Sequence, residues 1–71
     1  MNYYYLGYFE KHENFNHIRI FAQGRGADRD DLRSAAVKLN EIEGDKRQYR
    51  VIQAQNKSEA MSQLSNISKG F

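Results

Sequence analysis

Apolar positions along this chain switch between strand and helical spacing three times, and the switches, with one polar break, separate its elements. From residue 2 to residue 10 the chain is apolar and aromatic almost throughout, with Tyr3, Tyr4, Tyr5, Leu6, Tyr8 and Phe9. Such a run predicts a central strand with both faces in use. Lys11-His12-Glu13-Asn14 is a polar break of hairpin length, and residues 15–23 alternate again as a second strand. Within it Ile18, Ile20 and Ala22 share one parity, and His17, Arg19, Phe21 and Gln23 share the other.

After Gly24-Arg25-Gly26 the period lengthens. Leu32, Ala35, Ala36, Leu39 and Ile42 recur at helical spacing, which predicts a helix over residues 28–43. Asp28 is its expected N-cap, Asp30 and Asp31 suit the positive end of the helix dipole, and Gly44 supplies the stop. Residues 47–55 return to strand character. Asn56-Lys57-Ser58-Glu59 reads as a cap for a second helix carrying Ala60, Leu64 and Ile67 on one face and ending at Gly70.

The order is therefore ββαβα in a single domain, residues 1–71. A hairpin followed by a helical crossover is satisfied if the first strand lies in the middle, in order 2-1-3, with all neighbours antiparallel. The fold class expected is α+β: a two-layer arrangement of a three-stranded antiparallel sheet with two helices on one face.

Composition narrows the chemistry. The chain has no cysteine, so disulfides, thiolate catalysis and cysteine zinc sites are excluded together. Its 71 residues allow only a small core, which makes association a natural source of added stability. Residues 1–15 lack the basic start and apolar run of a signal peptide, and no stretch has the apolar length of a membrane span. A cytoplasmic protein without membrane contact is expected. The net charge of +2 is mild for a dedicated DNA binder.

If both helices cover one face, the other is open. Arg19, Phe21, Tyr49 and Val51 would lie on it, with Tyr3, Tyr5 and Phe9 as the exposed parity of the first strand. Aromatics beside arginine suit a protein interface, including a homodimer through the open face. The same set suits stacking of unpaired RNA bases. Cross-strand aromatic pairs that merely stiffen a small sheet would look alike. Arg29 and Arg33, four apart on the first helix, extend the positive area, although Asp28, Asp30 and Asp31 lie among them. The candidate partner-binding residues are Tyr5, Arg19, Phe21, Arg29, Arg33 and Tyr49.

The remaining motifs lead to no reaction. Gly24-Arg25-Gly26 lacks the third glycine of a dinucleotide fingerprint, since Arg29 stands there. The aspartates after it read as capping groups and not as Mg²⁺ ligands. His12 and His17, two histidines without a placed carboxylate, make a poor zinc site. No serine sits in a nucleophile elbow. The expectation is no catalytic residue, no metal and no cofactor.

Two stretches carry a family likeness. Leu6-Gly7-Tyr8-Phe9-Glu10 runs into a hairpin with Phe15, and Tyr49-Arg50-Val51-Ile52-Gln53-Ala54-Gln55 enters the capped helix at Asn56. In this architecture the chain resembles small phage-encoded antitoxins and other anti-defence proteins. That resemblance implies a non-catalytic inhibitor that docks on a host defence or toxin protein in the host cytoplasm. It carries over no functional residue. The mixed surface charge departs from the strongly acidic DNA mimics of that group. The alternative reading is a single-stranded RNA binder using the same aromatics and arginines.

Overall fold

The computed structural model describes residues 2–70. Strand β1 spans Tyr3–Lys11, β2 Asn16–Gly24 and β3 Gln48–Ala54; helix α1 spans Arg29–Glu43 and α2 Lys57–Lys69. A single 3₁₀ turn, Gly26–Asp28, leads into α1. The sheet has the order β2-β1-β3 with both pairings antiparallel, as the connections require.

β1 decides the packing. Its side chains alternate between faces, and both parities are bulky. Tyr5 and Phe9 pack with Ile20, Ile52 and Ala54 against Ala60 and Leu64 of α2. Leu6 and Tyr8 pack with Tyr49 against Ala36 of α1, with Leu32, Ala35 and Leu39 at the margin. The two helices thus take opposite faces, which corrects the expectation of both helices on one. The reason lies in β1: two apolar faces each need cover, and a second helix supplies it. α2 crosses all three strands, whereas α1 lies over β3 and part of β1. The β2 side of the α1 face is left largely uncovered.

Helix ends follow local chemistry. The Asn56 side chain accepts a hydrogen bond from the Glu59 N–H at 2.8 Å, as its sequence context predicts. Asp28 stands at the N-cap of α1 but does not cap it with its side chain. Its carboxylate instead reaches back to accept from the Arg25 N–H at 2.9 Å, tying the 3₁₀ turn to the end of β2. Ile42, expected on the core face of α1, is 76% exposed. The helix turns Asn40 and Glu43 toward Tyr49 in its place.

The register between β1 and β2 shifts between Leu6 and Gly7, where Leu6 faces Ala22 and Gly7 faces Ile20. Phe21 is the extra residue of this bulge. The shift carries Ala22 across to the α1 face while Ile18 and Ile20 stay on the α2 face. Gly7 makes the bulge possible. A Cβ there would lie 2.5 Å from the Arg19 carbonyl oxygen, 2.7 Å from Ile20 Cδ1 and 3.0 Å from Leu64 Cδ2. Only a residue without a side chain lets β2 and α2 approach so closely.

Candidate binding groove beside helix 1

The uncovered β2 side of the α1 face forms an open groove of about 320 Å³, lined by Tyr8, Arg19, Phe21, Leu39, Arg47 and Tyr49. Each lining residue is placed by a strand position or by α1. Tyr8 and Tyr49 are opposite one another in the β1–β3 register, and Tyr8 faces Arg19 across the other pairing. Phe21 shares the parity of Arg19 and lies on this same face, its ring against Tyr8 and Tyr49, and the bulge beside it brings Ala22 to the same side.

Three rings form the floor and one wall. Centroid distances are 5.4 Å for Tyr8–Tyr49, 6.2 Å for Tyr8–Phe21 and 6.0 Å for Phe21–Tyr49, the last pair edge-to-face. Tyr8 and Tyr49 are buried, while Phe21 keeps 44% of its surface exposed. The cluster therefore leaves one accessible ring on an aromatic base.

Electrostatics fix the rest. The Arg47 guanidinium lies 4.6 Å above the Tyr8 ring and pairs with Glu10, which is also 3.2 Å from His12 Nε2. Burial alone would raise the Glu10 carboxyl, but its bond with His12 and the Arg47 charge hold it below the ordinary carboxylate value. Burial, reinforced by donation to Glu43, holds the Tyr49 hydroxyl above its ordinary value, so it stays protonated at neutral pH. Arg47 is therefore committed within the fold. Arg19 is exposed and forms no ion pair among the described residues, so it is the cation the groove presents outward.

Of the six residues singled out from the sequence, the structure brings three together: Arg19, Phe21 and Tyr49. Tyr5 does not join them. It is 3% exposed and sits in the α2 core, so it is no surface anchor. Tyr3 and Phe9, read as outward with it, pack in that same core. Arg29 sits in the first turn of α1, 3.8 Å from the Asp30 carboxylate. Arg33 lines a separate shallow hollow with Ser34, Val37, Lys38 and Glu41. Neither arginine lines the groove. Tyr8, Leu39 and Arg47 belong to it and were not among the six; the parity that Tyr8 shares with Leu6 is the signal that marks it. Among the described residues no group of three or more histidine, aspartate and glutamate side chains is placed to hold a metal.

No helix of the described chain is long and apolar enough to cross a membrane. Comparison with protein-family models, with curated proteins and with solved structures found no match.

Proposed function

We propose that this chain is a non-catalytic binding protein that docks on another protein through the groove beside α1. In this reading Phe21 is the apolar anchor and Arg19 the charge that sets register and partner choice. Inhibition of a host defence or toxin protein is the role that the resemblance to phage anti-defence proteins implies. The observation that carries the proposal is a 44% exposed phenylalanine seated on two buried tyrosines beside an unpaired arginine. An anchor held by a rigid base loses little freedom on binding.

The same residues support RNA as a second reading, because Phe21, Arg19 and Arg47 lie side by side. A stacking surface for successive bases needs several accessible rings, however. Tyr8 and Tyr49 lie beneath the surface, which favours a protein partner.

The test is capture from nuclease-treated bacterial extract by the wild-type chain, by Phe21→Ala, and by a double variant on the outer face of α1, Arg33→Ala with Val37→Ala. Phe21→Ala should weaken retention about thirtyfold, the scale of a 2 kcal/mol anchor. The α1 variant should bind as wild type. Equal retention by Phe21→Ala, or retention only of nucleic acid without nuclease, would remove the proposal.

A further inference from the structure

The two edges of the sheet are finished differently, and the difference points to how a partner is held. In an antiparallel ladder, residue pairs that exchange hydrogen bonds alternate with pairs that do not. The His12 N–H donates to the Phe15 carbonyl at 2.8 Å, so this pair is bonded. It continues the register that pairs Lys11 with Asn16, Glu10 with His17, Phe9 with Ile18 and Tyr8 with Arg19. Alternation then makes His17 and Arg19 the residues that bond to β1. The N–H and C=O groups of Asn16, Ile18 and Ile20 point the other way, off the edge of the sheet.

The same alternation on the other side of β1 turns Tyr49, Val51 and Gln53 outward on β3. That edge is occupied. The Asn40 side chain of α1 accepts from the Tyr49 N–H at 2.7 Å and donates to the Tyr49 carbonyl at 3.1 Å, as a neighbouring strand would. The Gln63 side chain of α2 donates to the Gln53 carbonyl at 3.1 Å. No described side chain does the same for Asn16, Ile18 or Ile20. An open edge is a template for another strand, and native chains commonly block it. Here one edge is blocked by two amide side chains and the other is left free.

Charge selects the occupant. Residues 15–27 contain His17, Arg19 and Arg25 and no acidic residue. A second copy of this chain paired edge to edge would bring Arg19 and Arg25 beside the same arginines of the other copy, which is unfavourable. An extended segment with carboxylates would meet them with the opposite sign. At the Ile20 end of this edge, a hollow of about 210 Å³ lined by Tyr5, Ile20, Phe21, Ala22, Gln23 and Lys57 would accept an apolar side chain of such a segment.

We infer that β2 binds an extended acidic segment of a partner protein by strand addition along Asn16–Ile20, its carboxylates over His17 and Arg19 and its apolar side chains over Ile18 and Ile20. This rests on the docking reading above and gives its mode. The bulge at Phe21 bends the strand and sets the far limit of the paired stretch.

The test uses the full chain, isotope-labelled, titrated with a soluble peptide of alternating glutamate and valine, with its lysine counterpart, and with oligouridine. The glutamate peptide should slow amide hydrogen exchange at Ile18 and Ile20 about tenfold or more, leaving Tyr49 unchanged. Arg19→Glu, an exposed change, should abolish that effect and confer response to the lysine peptide. Shifts at the Phe21 ring without protection of Ile18 and Ile20 would overturn strand addition while leaving the groove as a docking surface. Equal response to both peptides would overturn the charge selection. Response to oligouridine alone would replace both readings with RNA binding. Protection of Ile18 and Ile20 that grows with protein concentration and without peptide would make the occupant a second copy.

Discussion

Replacing Asn40 with alanine tests whether the β3 edge is sealed as described. Asn40 makes two hydrogen bonds to Tyr49, to its N–H and to its carbonyl, in a partly buried setting. Each bond contributes about 1 kcal/mol net, and a buried group left without a partner costs about 1–3 kcal/mol. Water reaches this edge in the variant, so the loss should fall near the lower sum, about 2 kcal/mol. For a domain of 60–100 residues each kcal/mol lowers Tm by about 4–8 °C. A drop of about 8–16 °C is therefore expected in a thermal melt followed by circular dichroism. The same variant should lose exchange protection at the Tyr49 amide, while amides bonded between β1 and β2 keep theirs relative to global stability. Asn40→Asp should fall as well, because aspartate can accept from the Tyr49 N–H but turns a charged acceptor toward the carbonyl. A Tm within about 2 °C of wild type, a shift too small for two lost bonds, with Tyr49 still protected, would refute the sealed edge and with it the contrast between the two edges.

Other outcomes follow from the packing. Leu64→Ala removes a fully buried side chain from the α2 core and should cost about 2–5 kcal/mol in urea unfolding. Total stabilities run at about 0.05–0.15 kcal/mol per residue, so that loss is a large share of what this chain can have. Gly7→Ala should destabilise by about 1–3 kcal/mol although it adds only a methyl group, because that methyl meets the Arg19 carbonyl and Leu64; a neutral result would mean that the bulge can relax. The Glu10 carboxyl sits below its ordinary value of 4.5 in the fold, so its contribution is complete above that pH and is lost as the pH falls through the lower folded value. Stability of the wild type should therefore decline over this acid window more steeply than that of Glu10→Gln, read from urea midpoints at matched pH.

The sequence made the elements legible because their signals are local. A change from period two to helical spacing marks α1, Asn56 with Glu59 marks the start of α2, and the hairpin with its crossover fixes the strand order. The placement of the helices was not legible, since it depends on which parity of β1 each helix covers. With Tyr3, Tyr4, Tyr5, Leu6, Tyr8 and Phe9 bulky on both parities, alternation alone could not assign the faces. Assigning Tyr5 to the open surface followed from that ambiguity. The bulge left no mark in composition either, yet it decides that Ala22 leaves Ile18 and Ile20 for the face of Leu6 and Tyr8. Arg19 and Phe21 were found because they share a parity on an edge strand, where a polar and an aromatic side chain both remain outside the core. Arg29 and Arg33 were grouped with them by charge alone, and α1 turns them away from the groove.

The most direct measurement is amide hydrogen exchange of the whole chain, alone and saturated with the protein it retains from nuclease-treated extract. Docking on the β2 strip predicts added protection over Asn16–Phe21, centred on the outward amides of Ile18 and Ile20. Protection confined to the outer face of α1, or to the β3 edge held by Asn40 and Gln63, would contradict it.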